Sequence, residues 1–182
     1  MLEKLFRKRI LITTIFPMTY TCPTCKQEHE DLPAIAFNTP SFYNDLTEQE
    51  KNKIAEINSD FSTIQRADRT DRFIKAVLFQ KVNGHCEPLQ YGVWVSLSEK
   101  SFNDYKANFY SNDYEAIYFG YLSNWLPGSD NTLSLHTNVQ LSKGGNRPEV
   151  IPHKYEHPFV QDYYNGISQE EAEKRVTEAF KG

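Results

Sequence analysis

The sequence predicts an α+β fold with a largely antiparallel sheet and about three helices. Three observations carry this. Strand-type segments with period-two alternation outnumber helical ones. They follow one another without regular helical crossovers, which argues against a doubly wound βαβ array. Aromatic residues make up 14% of the 182 residues against 39% hydrophobic overall, so much of the apolar content sits in side chains that suit strands.

The two clearest strands come first. In "LQYGVWVSLS", Leu89, Tyr91, Val93, Val95 and Leu97 share one face and Gln90, Gly92, Trp94 and Ser96 the other. Trp94, on the opposite face from the regular apolar set, is expected to pack under helices. "LSLHTNVQLS" repeats the pattern, with Leu133, Leu135, Thr137, Val139 and Leu141 inward and His136 on the polar face. Further strands are expected over 34–37, 60–65, 72–82, 116–122, 148–153 and 158–162. The turn "KGGNRP" reads as a hairpin connection, since Gly144 and Gly145 tolerate positive φ.

Three helices follow from their start signals. Thr47 and Glu50 form a capping box that opens a polar helix running to about Ile57. Ser98 caps a second helix, with Phe102, Tyr105 and Phe109 on one stripe. Ser168 and Glu171 form another capping box, with Ala172, Val176, Ala179 and Phe180 as the buried stripe. Residues 1–17, "MLEKLFRKRILITTIFP", read as a loose N-terminal extension, and residues 18–182 as a single α+β domain. The apolar run in that extension is too short to span a bilayer.

Composition narrows the partners. The net charge is −4 with both signs interspersed, so no basic field exists to hold nucleic acid or an anionic membrane. Three cysteines are too few for a disulfide scaffold. The expectation is a cytoplasmic protein with an unknown protein partner. No GxGxxG, P-loop, HExxH, GxSxG or kinase signature is present.

The most chemical segment is "CPTCKQEHE". A Cys-x-x-Cys turn holds two thiolates close enough to share one zinc ion, and His29 follows within reach as a third ligand. Asp71, Cys86 or His85 are the candidates for a fourth. A redox role for Cys22 and Cys25 is disfavoured by Glu28, Glu30 and Asp31, which raise a thiol pKa. The densest polar-aromatic loop is "YLSNWLPGSDNT", where Asn124, Trp125 and Asp130 join His136 and His157 as a candidate binding surface. Its simpler reading is turn chemistry around Pro127-Gly128 and Asp130-Asn131.

Five stretches occur together: "TCPTCKQEHEDLPAIAF", "YGVWVSLSEKSF", "YFGYLSNWLPGSDNTLSLHTNV", "RPEVI" and "EHPFVQDYYNGIS". In this order they resemble the bacterial family catalogued as domain of unknown function 2199. The resemblance implies a small α+β protein opening on a CxxC segment, and no established activity. Members of that family often carry a further cysteine and then a histidine where this chain has Ser62 and Asp71.

Three function classes remain: a non-catalytic binding module with a structural zinc half-site, an enzyme using a His/Asp/Asn site around Trp125 and His157, and a thiol redox protein using Cys22 and Cys25. The first is favoured by the aromatic-rich sheet and the lack of a catalytic signature.

Overall fold

The computed structural model describes residues 19–21, 26, 28–30 and 32–181. The chain divides into two units, Met1–Asp31 and Leu32–Gly182. In the first, β1 (Thr19–Thr21) and β2 (Glu28–Glu30) pair antiparallel, with Tyr20 opposite His29. The extension 1–17 lies outside the described residues.

The second unit is built from β3 (Ile35–Ala36), α1 (Ser41–Asn44), α2 (Glu48–Ile54), β4 (Ala55–Ile57), β5 (Phe61–Gln65), β6 (Thr70–Gln80), β7 (Leu89–Leu97), α3 (Glu99–Asn108), β8 (Ala116–Leu122), β9 (His136–Leu141), β10 (Glu149–Pro152), α4 (Pro158–Asn165) and α5 (Gln169–Ala179). The strands follow the order β3-β7-β8-β9-β10-β6-β5-β4, and β6 also pairs with β7. That second pairing closes β7, β8, β9, β10 and β6 into a five-strand barrel, with β3 on one side and β5-β4 on the other. Most pairs are antiparallel, but β10–β6 and β3–β7 are parallel. The α+β class and the largely antiparallel pairing therefore stand, whereas the expectation of about three helices is corrected to five among the described residues, and the sheet closes into a barrel.

Length explains the closure. β6 spans eleven residues, and its first half pairs with β5 while Val77 pairs with Glu149 of β10. β7 likewise changes partner, from β3 at Tyr91–Gly92 to β8 at Val95–Leu97. Two long strands that each exchange neighbours midway shear the sheet until its edges meet.

The barrel interior follows the alternation read from the sequence. Tyr91, Val93 and Val95 are fully buried beside Ile74, Ala76 and Leu78 of β6, Leu122 of β8, Val139 of β9 and Val150 of β10. Phe102 and Tyr105 of α3, Phe159 and Val160 of α4 and Ala172 of α5 join the same core. The Thr47–Glu50 capping box is present, and Ser98 and Ser168 each accept a backbone N–H as N-caps.

One expected strand is a helix. His157 is extended (φ −146°), as the residue before a proline should be, but Pro158 occupies the first helical position and α4 runs from it. Phe159, Val160 and Tyr163 then form its inward stripe. The stripe on α5 also departs from expectation. Phe180 is 56% exposed, while Arg175 is 1% exposed. Its guanidinium pairs with Glu171 at 2.8 Å and with Asp162 of α4, and lies over the Phe159 ring. It clamps the two helices together. Gly128 packs directly on this arginine, at φ +75°, and a Cβ there would fall 2.7 Å from Nε. Glycine is thus required twice over at that turn, once for its dihedral and once for the space.

Candidate functional site

The outer surface of the barrel has two walls. The outward side chains of β6 and β7 are Phe73, Lys75 and Trp94, and the segment from Phe37 to Ile54 covers them. Phe42, Tyr43, Leu46 and Ile54 pack on Phe73, Trp94 and Ile64, leaving Trp94 at 1% exposure. Both Trp94 Nε1, at 3.0 Å, and Lys75 Nζ donate to the carbonyl of Phe37. Burial holds the Lys75 ammonium down at about 8, and Arg147 adds to the effect.

Beyond β7 the wall is bare. β8 alternates with Tyr118, Gly120 and Leu122 inward and Ile117, Phe119 and Tyr121 outward. The outward three are 66%, 45% and 41% exposed. Phe119 meets Tyr121 edge-on at 5.0 Å, His136 at 5.5 Å and His153 at 5.5 Å. His136 also packs against Tyr121 and Tyr155, and Tyr155 continues to His157. The result is one continuous band of aromatic and imidazole rings running from β8 across β9 to the segment before α4. Burial pushes the Tyr155 hydroxyl above its ordinary value, and a bond to the His136 backbone works the other way.

A cleft of about 620 Å³ lies where the two walls meet. Phe42 and Phe73 line it from the covered side, Phe119 and Tyr121 from the bare side, and Arg69 and Arg72 stand at its rim. These cations are already partnered. Arg69 bonds Asp71 at 2.9 Å, and Arg72 reaches Glu99 at 3.0 Å. The cleft is therefore an apolar slot with a locally neutralised polar margin.

The residues singled out from the sequence are distributed as follows. Cys22 and Cys25 lie outside the described residues, as does the side chain of His29. By chain order the cysteines fall in the connection between β1 and β2, and Lys26 in that connection has φ 61°. Asp71 spends one carboxylate oxygen on Arg66 and the other on Arg69. Among the described residues no group of three or more His, Cys, Asp or Glu is placed to hold a metal ion.

Asn124 is 1% exposed and structural. Its Oδ1 accepts from Trp94 N at 2.7 Å, and its Nδ2 donates to Thr39 O at 2.9 Å. It fills the gap where β7 changes partner from β3 to β8. Thr132 folds the following loop, accepting from Leu126 N and donating to Asn124 O, both at 2.8 Å. Asp130 is exposed on that loop. Trp125, 52% exposed, lines a separate cavity of about 430 Å³ with Ile35, Phe37 and Phe180.

His157 accepts Phe159 N–H at Nδ1, which makes it the N-cap of α4, and its Nε2 contacts Asn131 O at 3.2 Å. An imidazole accepting at Nδ1 carries its proton on Nε2, so it donates to Asn131. With both nitrogens engaged, His157 holds a loop against a helix start and has no lone pair left for a general base. Of the expected binding surface, the structure thus brings His136 and His157 together through Tyr155 and sets Asn131, the neighbour of Asp130, against His157, while Asn124 is buried and Trp125 lines another cavity.

Phe119, Tyr121, His153 and Tyr155 were not singled out as functional from the sequence. The signal was present in "AIYFGYL", where both faces of one strand carry large apolar or aromatic side chains. Such a strand is either covered on both sides or leaves a patch on the surface.

No helix among the described residues is long and apolar enough to cross a membrane. No curated protein and no solved structure matches the chain. The family model described as "Uncharacterized protein conserved in bacteria (DUF2199)" matches residues 21–167. That match runs from the end of β1 through every strand of the barrel and past α4, and the chain belongs to this bacterial family.

Proposed function

We propose that this protein is a non-catalytic recognition module that binds a protein partner on the bare wall of its barrel. The observation that supports it is the exposed ring band of Phe119, Tyr121, His136, His153 and Tyr155, continuous with an apolar cleft. Contiguous exposed apolar surface of this kind marks interaction sites, and Phe and Tyr are enriched at the centres of such interfaces. The occupant fitted by this chemistry is a partner segment that lays an apolar side chain into the slot between Phe73 and Phe119. Its flanking polar groups would meet the Arg69 and Arg72 rim.

The test is binding of a partner isolated with the wild-type protein, then measured with purified components. A Phe119→Ser/Tyr121→Ser double variant should lose at least tenfold in affinity. A Tyr110→Ser control, at a 92% exposed aromatic elsewhere, should bind as wild type. Equal binding by the double variant, with its circular dichroism unchanged, would remove the reading.

The N-terminal unit supports a second, smaller proposal, that a zinc ion clips the β1–β2 hairpin through Cys22, Cys25 and His29. What supports it is that β1 and β2 pair antiparallel, with Tyr20 opposite His29, and that the two cysteines fall between these strands in chain order. Zinc bound to such a set would be structural, with thiolates as ligands. Metal analysis of untagged protein, purified without chelator, should give about one zinc per chain in the wild type and a loss in Cys22→Ser. An empty wild type would refute the clip.

A further inference from the structure

Two histidines stand directly opposite one another on the bare wall. The β9–β10 register pairs Thr137 with Pro152, so the next rung places His136 across from His153. The backbone confirms that rung, since His153 N–H donates to His136 O at 2.9 Å. The two ring centroids are 6.3 Å apart, with the planes at 88°.

The tautomer of His153 is set by its neighbour. Nε2 lies 2.8 Å from Oδ1 of Asn138, an acceptor, so Nε2 carries the proton and donates it. Nδ1 of His153 is thereby left with its lone pair. A ligating histidine that donates its other nitrogen to a carbonyl oxygen is the usual outer-shell arrangement of a metal site. The ring of His136 is held in place by the edges of Phe119, Tyr121 and Tyr155.

The spacing suits a shared ion. A zinc–imidazole bond of about 2.1 Å puts the ion about 3.2 Å from the ring centre. Two rings sharing one ion then have centres about 5.3 Å apart at the tetrahedral angle, widening to about 6.4 Å toward a linear arrangement. The observed 6.3 Å lies at the open end of that span, so binding an ion at the tetrahedral angle would draw the two ring centres about 1 Å closer.

We propose that His136 and His153 form a two-imidazole clamp for a late first-row divalent ion, the class that includes Ni²⁺, Cu²⁺ and Zn²⁺. Imidazole nitrogen prefers these ions over the hard cations Mg²⁺ and Ca²⁺. Only two side chains serve as ligands, so the remaining coordination positions open to solvent and the ion exchanges. The clamp is separate from the cysteine segment and does not rest on the partner-binding reading.

The probe is Ni²⁺ added to the full chain, followed by calorimetry and backbone amide NMR. The expected result is one equivalent bound in the micromolar range, with the perturbed amides centred on β9 and β10. His136→Gln and His153→Gln should each weaken that equivalent by at least tenfold. Asn138→Ala, which releases the His153 ring but removes no ligand, should weaken it by about tenfold. Cys22→Ser should leave it in place, which distinguishes the clamp from metal held by the cysteines. All four substitutions are read beside a thermal melt, so a folding defect is not mistaken for lost binding. Affinity unchanged in both histidine variants, perturbation away from β9 and β10, or no binding by the wild type would each overturn the clamp.

Discussion

The covered wall and the bare wall of the barrel are made from similar residues and meet opposite fates. Phe73 and Trp94 point outward from β6 and β7, just as Phe119 and Tyr121 point outward from β8. Trp94 is 1% exposed and Phe119 is 45% exposed. The difference lies in the connections. The segment 37–54 precedes the barrel, begins beside β3 and returns across the outside of β6 and β7 before β4. On β8 the outward Ile117, Phe119 and Tyr121 stay 66%, 45% and 41% exposed. An aromatic side chain on a strand therefore says that a surface is apolar, while the chain path decides whether that surface is structural or available.

The comparison predicts opposite mutational effects for like residues. Trp94→Ala should destabilise the fold by about 3–5 kcal/mol, because it empties a packed site and removes the indole bond to Phe37 O. Phe119→Ala should cost about 1 kcal/mol or less, since its contacts are edge-on ring pairs at the surface. Urea unfolding of the two variants side by side measures this. Equal losses would mean that the bare wall is part of the folding core.

A middle-sized effect is expected where the covering segment is tied down. Asn124 bonds Trp94 N on one side and Thr39 O on the other. Asn124→Ala leaves a buried backbone N–H without an acceptor and frees the start of the cover, which should cost about 1–3 kcal/mol. Amide exchange should then accelerate at residues 37–46 more than in β8 and β9. Uniform acceleration over both walls would contradict the assignment of Asn124 to the cover.

Much of this fold was legible from periodicity. The inward sets of β7 and β9, the capping box at Thr47, and the caps at Ser98 and Ser168 rest on local chemistry that the sequence displays, although Glu171, expected to complete a box with Ser168, turns to Arg175 instead. Barrel closure was not legible, because it depends on β6 and β7 exchanging partners midway, a long-range register with no local signature. The α4 helix was misread because His157-Pro158 fits both an extended segment and a helix start, and the inward stripe of α4 decides between them. Arg175 was invisible for a related reason. A charged residue on an amphipathic helix reads as solvent-facing until Asp162, from another helix, is known to meet it. At the candidate site, residue type singles out His136 and His157, and the fold sets both rings against Tyr155. Asn124 and Trp125 were drawn to the same surface by proximity in sequence, which the fold does not preserve.

The smallest effect is also the most specific to the cover. Lys75 sits on the outward face of β6, where a lysine on a bare wall would reach water. Burial under the 37–54 segment instead lowers its folded pKa to about 8, against about 10.4 in an unfolded chain. Between those values the unfolded chain binds the extra proton, so stability rises with pH from about 8 toward 10. Above about 10 the buried hydroxyls of Tyr91 and Tyr105, pushed up to about 12, act in the opposite sense and end the window. Lys75→Met removes the buried charge, and Phe37 O keeps its bond from Trp94 Nε1. The variant should therefore match or exceed the wild type at pH 7, and its advantage should shrink by on the order of 1 kcal/mol by pH 9.5. Urea midpoints for both proteins at the two pH values measure the difference. A constant gap would place the Lys75 amine in water, and the β6–β7 wall would then be less covered than Trp94 indicates.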